Sequence, residues 1–337
     1  MLTTDIVSRL FSEFDKLNVL IIGDVMVDAY LWGKVDRISP EAPVPIVTVA
    51  KRENRLGGAA NVGLNIKSLG ATAYLCAVIG KDPKGAEFLE MLDQEGIPKE
   101  GIVQSKSRVT TTKFRVISNN TQLLRVDEEQ TDPLNEEEVS ALFSNIKNLT
   151  ESKKIDVIIF QDYDKGVITV SLINEIVTLA NAKNIPVVVD PKKANFLHFK
   201  NVTLFKPNLK EIKEGLNIDF DESDKDELEK AIGMLQEKLR SQIILNTLSE
   251  KGVFIRWNEN GTYRSAKIAA HLRNISDVSG AGDTVISVAA LCLAQGIDVP
   301  DMAAIANLSG GLVCEEVGVV PINKTKLQDE VIRLLTL

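Results

Sequence analysis

The chain has 337 residues, 44% hydrophobic and 26% charged. This globular composition excludes a disordered chain and suits one large α/β domain or about two smaller ones. Thirty-nine basic against 47 acidic side chains give a net charge of −8, which argues against nucleic acid or an anionic membrane surface as the main partner. No run of about 18 apolar residues exists to span a membrane.

The N-terminal stretch, residues 1–17, is amphipathic and carries acids, so it does not read as a signal peptide. Cys76, Cys292 and Cys314 are isolated in apolar surroundings, as buried thiols are in a reducing compartment, and a cytoplasmic location is expected. His198 and His271 are the only histidines, which disfavours a His base or a His-rich metal site.

Taken in order, short apolar runs alternate with helical stretches. Asn18–Ile22 is a strand ending at Gly23, Gly57–Leu69 a glycine-led helix closed by Gly70, and Ala73–Ile79 a second strand. Helices follow at Pro83–Gln94 and near Asn135–Leu149. Ile155–Phe160, Pro186–Val189, Val202–Phe205 and Ile243–Leu245 read as buried strands, with helices at Val170–Ala182, Asp224–Arg240 and Asp283–Ala294. This alternation predicts a mostly parallel sheet covered on both faces, a three-layer α/β/α sandwich. Two segments break the rhythm. Residues 30–50 hold Pro40, Pro43 and Pro45 beside alternating Ile46, Val47 and Val49, and residues 108–127 alternate β-branched with polar residues around an Asn119-Asn120 turn. They are expected to form antiparallel strands of a small β-sheet lid. No linker divides the chain, so 1–337 reads as a single domain.

Ligands of an open α/β sheet bind beyond the carboxyl ends of its strands. The residues there are Gly23-Asp24 and Asp28, Gln161-Asp162, Asp190-Pro191-Lys192, Lys206-Pro207-Asn208 and Asn246-Thr247. Any one of them could equally cap a helix or close a turn.

Three motifs carry more. Asp277-Val278-Ser279-Gly280-Ala281-Gly282-Asp283 precedes an apolar helical run. Small residues there let N–H groups crowd an anion, such as a transferring phosphoryl group, and a carboxylate in the first turn can take a hydroxyl proton. Gly57-Gly58-Ala59-Ala60-Asn61 permits close backbone approach and supplies an amide for hydroxyls. Asn208 and Glu211, three apart after Pro207, suit Mg²⁺ held through water near phosphates, or a capping box, or both. The GxxxxGK[ST] P-loop is absent, and no GxGxxG follows the first strand, which disfavours a Rossmann dehydrogenase.

Together and in this order the three motifs resemble those of the ribokinase/PfkB family of carbohydrate kinases, over Val19 to about Pro321. The resemblance implies the ribokinase-like fold, ATP and Mg²⁺ as cofactors with K⁺ in some relatives, and a sugar or sugar phosphate as partner. It implies Asp283 as catalytic base and Gly280, Ala281 and Gly282 as anion hole. Asp28, Gly57, Gly58 and Asn61 match sugar-binding positions. Asn208 and Glu211 match the Mg²⁺–phosphate motif, Thr247, Gly252 and Asn307 fall where nucleotide binds, and the Asp277 and Ser279 carbonyls match a monovalent-cation site.

A narrower likeness rests on Gly23 to Asp28, on Arg37-Ile38-Ser39-Pro40-Glu41-Ala42-Pro43-Val44-Pro45, on Leu124 to Asp127, on Asp162-Tyr163 with Lys165-Gly166, and on Asp190 to Lys192. These resemble the kinase module of the bacterial ADP-heptose synthesis enzymes, which phosphorylates D-glycero-β-D-manno-heptose 7-phosphate at O1. A chain ending at Leu337 leads one to expect the stand-alone form. The distal phosphate needs cations; Arg37, Lys113, Arg115, Arg125, Lys165 and Lys192 are the candidates, and Arg37 and Arg125, inside the lid strings, are the expected ones. Four positions depart from the relatives. Met26 replaces a polar sugar contact of ribokinase, Leu248-Ser249 replaces a common glycine-containing pair, and Asp164 stands where a small residue is usual. The alternatives are a kinase for another sugar or sugar phosphate, such as a fructose phosphate or ribose, and a non-catalytic sugar- or nucleotide-binding regulator, against which an intact Asp283 argues. Exposed lid edges lead to the expectation of a homodimer through the lid.

Overall fold

The computed structural model describes residues 2–119 and 121–336. The strands are β1 (Asn18–Gly23), β2 (Val25–Ile38), β3 (Pro45–Gly58), β4 (Thr72–Gly80), β5 (Ile102–Ser105), β6 (Thr112–Ser118), β7 (Thr121–Glu128), β8 (Val157–Gln161), β9 (Val187–Asp190), β10 (Leu204–Phe205), β11 (Ile243–Thr247), β12 (Val253–Glu259) and β13 (Thr262–Ile268). The helices are α1 (Thr4–Glu13), α2 (Ala59–Ser68), α3 (Pro83–Gln94), α4 (Glu136–Ser152), α5 (Val170–Ala182), α6 (Leu209–Leu216), α7 (Lys225–Leu239), α8 (Ala281–Ala294), α9 (Val299–Val313) and α10 (Lys324–Leu335).

Nine strands form the larger sheet in the order β13-β12-β11-β10-β9-β8-β1-β4-β5. Pairing is parallel from β11 to β5 and antiparallel only at β11–β12 and β12–β13. The buried strands have an apolar side chain on each face. Val19 and Ile21 of β1 pack with α1, α2, α3, α8, α9 and α10, while Leu20 and Ile22 pack with α4, α5 and α7. This is the three-layer ribokinase-like arrangement. Local signals set the helix starts. Asp82 caps α3 ahead of Pro83, Thr169 caps α5, and Asn135 with Glu138 closes a capping box on α4.

Four strands, β3-β2-β6-β7, form the smaller sheet. Its strands begin at Val25, five residues before the expected segment. The expectation of antiparallel strands is corrected at one pair. β2 and β6 run parallel, because α2, β4, α3 and β5 intervene and let the chain return in the same direction. The expected helix at Gly57–Leu69 loses its first two glycines, Gly57 and Gly58, to the end of β3. Gly58 has φ 62 and ψ −136, and a β-carbon there would strike the Asp24 carbonyl, so the entry into α2 requires glycine. Asn119 takes left-handed backbone (φ 48), and its expected turn partner Asn120 lies outside the described residues. Among the described residues no helix is long and apolar enough to cross a membrane.

Candidate active site

From β1 the chain goes through the small sheet to β4 on one side, and later returns to β8 on the other. The carboxyl ends of β1 and β8 therefore diverge at a topological switch point. Register places Gly23, Gln161 and Asp190 side by side across three strands, and Lys206 follows Phe205, the partner of Val189. These ends line a cleft of about 800 Å³, whose opposite wall is the first turn of α8.

Asp283 is the third residue of α8 and is 7% exposed. Three donors hold its carboxylate. The Asn61 amide donates to Oδ2 at 2.6 Å, and Gln161 Nε2 (3.1 Å) and the Tyr163 hydroxyl (2.8 Å) donate to Oδ1. Burial pushes the carboxyl up to about 6. Asp190 acts in the same direction, while Asn61, Tyr163 and Lys206 oppose it. No side chain caps α8, and Gly280 enters it in left-handed backbone (φ 79). The Ala281 N–H turns back to the Val278 carbonyl at 3.3 Å, which leaves those of Gly282 and Asp283 for an anion in the cleft.

Lys206, 4% exposed, places its ammonium 3.0 Å from Asp190 Oδ2, and a β-carbon on Gly282 would lie 3.6 Å from it. A buried cation thus flanks the α8 N-terminus. Asn61 Oδ1 and Gln161 Oε1 are buried beside Asp283 without a hydrogen-bond partner. Two orphaned acceptors next to a carboxylate match hydroxyl donors.

On the small sheet, Asp28 Oδ1 receives Arg115 Nη1 at 2.6 Å, and a β-carbon on Gly57 would collide with the Asp28 carboxylate. Arg55 and Arg115 flank the Tyr30 ring at 5.0 and 5.2 Å. At the nucleotide end, Asn208 and Glu211 form the capping box, each bonding the other's backbone N–H at 2.9 Å. Glu211 Oε1 also takes Lys192 Nζ at 2.6 Å. Thr247, Gly252 and Asn307 line the same cleft, and Asn307 Nδ2 donates to the Ala269 carbonyl at 2.9 Å. The Asp277 carboxylate accepts the N–H groups of Ser279 (2.9 Å) and Gly318 (3.1 Å), tying its loop to the segment after α9.

The structure thus brings Asn208, Glu211, Thr247, Gly252, Gly280, Ala281, Gly282, Asp283 and Asn307 to the lining of one cleft, with Asn61 bonded to Asp283, Asp277 and Ser279 flanking the lining residue Val278, and Asp28, Gly57 and Gly58 on β2 and β3 of the small sheet. It does not bring Arg37 there. That residue is exposed, nine positions along β2 from Asp28, or about 30 Å of strand. Arg125 stands opposite Arg115 on edge strand β7, exposed and paired with Asp127 at 3.0 Å. Arg115 is bonded to Asp28, and Arg55 and Lys113 are the register partners of Asp28 on β3 and β6. Sequence reasoning misses Arg55, names Arg115 only among the candidate cations, and gives no site role to Gln161, Tyr163, Asp190 and Lys206. The last four do carry a signal, since each stands at or just after a strand's carboxyl end. Two departures noted above have a shared backbone reason. Asp164 (φ 54) and Ser249 (φ 52) both sit in left-handed conformations, where glycine is the usual solution.

The nine-stranded sheet, its lid-like companion and a carboxylate at an uncapped helix start define a small-molecule phosphotransferase of the ribokinase-like fold. The description "pfkB family carbohydrate kinase" matches residues 16–326, and the chain belongs to that family. It is 40% identical over 304 residues to the bifunctional protein HldE of Aliarcobacter butzleri (strain RM4018), covering 90% of this chain and 62% of that protein. With the HldE of Desulfatibacillum aliphaticivorans it shares 38% over 334 residues, 98% of this chain and 67% of that one. The chain therefore spans about two thirds of the length of these relatives. Among solved structures, phosphofructokinase-2 from Escherichia coli in complex with fructose-6-phosphate superposes with a TM-score of 0.74 at 17% identity, covering 95% of this chain and 99% of that one. Arabidopsis thaliana ribokinase complexed with ribose and ATP gives 0.69 at 14% identity, covering 93% and 98%. At such identities the likeness is one of fold.

Proposed function

We propose that the chain transfers the γ-phosphoryl group of ATP to O1 of D-glycero-β-D-manno-heptose 7-phosphate, with Asp283 as base. The observation that carries this reading is the buried Asp283 carboxylate at the open start of α8, with two orphaned acceptors beside it. A hydroxyl donating to Asp283 there lies beside the Gly282 and Asp283 N–H groups at the start of α8. Asp283 accepts the hydroxyl proton as the oxygen attacks phosphorus. The α8 N-terminus and Lys206 neutralise charge on the transferring group, so catalysis is mostly positioning and electrostatics. Asn61 Oδ1 and Gln161 Oε1 receive further sugar hydroxyls, and Asp28 orients the sugar from the small sheet.

The heptose assignment is supported by 34–40% identity to bifunctional HldE proteins over most of this chain. Arg115 and Arg55 supply positive charge for a phosphate already on the sugar. Magnesium fits the nucleotide end in one manner only. Among the described residues no three His, Cys, Asp or Glu gather to cage an ion, so Glu211 and Asn208 would hold it through water and the nucleotide's phosphates. When bound, the ion neutralises phosphate charge. A monovalent cation on the Asp277 and Ser279 carbonyls, a cytoplasmic location and a homodimer through the small sheet complete the proposal. The dimer is supported by edge strand β7, exposed throughout, with Leu123, Leu124 and Val126 uncovered.

ADP release with Mg-ATP, compared across heptose 7-phosphate, ribose, fructose and fructose phosphates, tests the reading. Turnover confined to the heptose phosphate is expected. Turnover on another sugar alone overturns the substrate assignment and keeps the phosphotransfer class.

A further inference from the structure

Asp24 follows β1 directly and is 1% exposed. Its carboxylate accepts three backbone N–H groups, from Tyr163 (2.8 Å), Val167 (3.0 Å) and Lys165 (3.2 Å). Three donors converging on one carboxylate fold the turn after β8 around it. Asp24's own carbonyl accepts the Ala59 N–H at 2.9 Å, which fixes the start of α2 two residues before Asn61. One buried residue thus sets two arms, and the arms end on opposite oxygens of the same carboxylate, Tyr163 on Oδ1 and Asn61 on Oδ2 of Asp283.

We propose that Tyr163 is a positioning residue for the phosphoryl transfer, holding Asp283 in its ionised form, and that Asp24 is the anchor that delivers Tyr163 and Asn61 to the two carboxylate oxygens. The inference rests on the reading of Asp283 as base. Tyr163 lines the cleft, and its hydroxyl is given to the reacting carboxylate rather than to a backbone carbonyl. Burial, with Asp283 and Asp190 beside it, holds the phenol well above its ordinary value, so it remains a donor at every working pH. A donor to the charged form of an acid favours that form.

The groups facing Asp283 are few. Asp190 approaches from β9, Lys206 from the end of β10, and Tyr163 from the turn after β8, while Asn61 and Gln161 are neutral. Lys192 Nζ lies 6.0 Å from the centre of the Tyr163 ring. Asp24, Asp162 and Asp164 pack against the turn itself rather than against Asp283. Removing the Tyr163 hydroxyl therefore changes one interaction of the base and no charge.

The test is a ¹³C NMR titration of the Asp283 carboxyl, assigned by its disappearance in Asp283→Asn, run beside the pH profile of kcat/KM. In Tyr163→Phe the Asp283 midpoint is expected to rise by about one pH unit, lowering kcat/KM about twofold at pH 7 and nearly tenfold at about pH 5, and restoring it in alkali. KM for ATP stays in place. Asp24→Asn shifts the midpoint in the same direction, and if that variant fails to fold, Tyr163→Phe decides alone. A Tyr163→Phe midpoint equal to the wild type's overturns the proposal. Turnover surviving in Asp283→Asn overturns the reading of the base instead, and the NMR midpoint still reports whether Tyr163 holds the carboxylate ionised.

Discussion

Asn61 and Asp283, 222 residues apart in sequence, are joined at 2.6 Å between the first turns of α2 and α8. The bond fixes the carboxylate's rotation, so that one oxygen is held from α2 and the other from β8 and its following turn. If Asp283 is the base, Asp283→Asn keeps the shape and removes proton acceptance. kcat is expected to fall by about 10²–10⁴, with the dissociation constant for ATP unchanged by calorimetry. An Asn variant within tenfold of wild type would exclude this carboxylate as base.

The pH profile follows from the same site. Burial lifts Asp283 to about 6, and the base must be unprotonated to act. kcat/KM is expected to be flat above neutrality and to fall tenfold per pH unit below about 6. Asn61→Ala removes a donor to the charged form, so its acid limb moves to higher pH. A limb in the ordinary carboxylate range near 4, or one that Asn61→Ala leaves in place, contradicts this account.

Much of this architecture is legible in the chain itself. Asn18–Ile22, Pro83–Gln94 and Val170–Ala182 declare themselves through uninterrupted apolar runs and capped helical periodicity, and the Gly280–Asp283 string marks its helix start. The β12–β13 hairpin is harder. Its Asn260-Gly261 turn is a hairpin signal, with φ of 52 and 88, but the strands around it mix buried and exposed residues and lack a clean alternation. The convergence of Gln161, Tyr163, Asp190 and Lys206 on Asp283 is not local at all. It depends on strand order β10-β9-β8-β1 and on register, which no single segment specifies. The misplacement of Arg37 has the same origin. Membership in the lid string says nothing about how far along a 14-residue strand a side chain lies.

Arg115 offers a direct comparison. Its guanidinium is beside Asp28, whereas Arg37 and Arg125 are exposed away from it. If Arg115 meets the distal phosphate of the sugar, Arg115→Met costs a charge-assisted contact worth about 1.5–3 kcal/mol, read as a rise of roughly ten- to a hundredfold in KM for a sugar phosphate. KM for ATP should be unaffected, and Arg37→Met should do less. Equal effects of the two variants would place the phosphate elsewhere.

Lys206 and Asp190 form a buried pair at 3.0 Å. Lys206→Met leaves the buried Asp190 carboxylate with the Gln161 amide at 3.2 Å and the more distant charge of Lys192. Breaking one side of such a pair costs about 3–5 kcal/mol, whereas removing both charges is often nearly neutral. Urea denaturation should therefore show Lys206→Met strongly destabilised and Asp190→Asn/Lys206→Met largely recovered. Activity should stay low in both, because neither restores a cation at the α8 N-terminus. Recovered turnover in the double variant would remove Lys206 from the proposed charge stabilisation.

Asp162 makes the last prediction, which concerns stability. It is 1% exposed and is pushed up to about 7, first by burial and then by the neighbouring Asp24. In the unfolded chain its carboxyl titrates near its ordinary value, about 3.9. Between those two values the folded state holds a proton that the unfolded chain has released, so stability falls as pH rises. The contribution is complete below about pH 4 and gone above about 7, with a ceiling of roughly 4 kcal/mol at 1.36 kcal/mol per pH unit that coupling to Asp24 reduces. Asp24 and Asp283, also raised, act with the same sign. Asp82 and Glu138, held below their ordinary values, remove stability only in more acid solution. His271, lowered by burial and Arg273, acts with the opposite sign and cancels when wild type and variant are compared. The melting temperature should therefore decline from about pH 5 to pH 8 in the wild type and decline less in Asp162→Asn. A variant whose melting temperature follows the wild-type curve in parallel would show that Asp162 is ionised across this range.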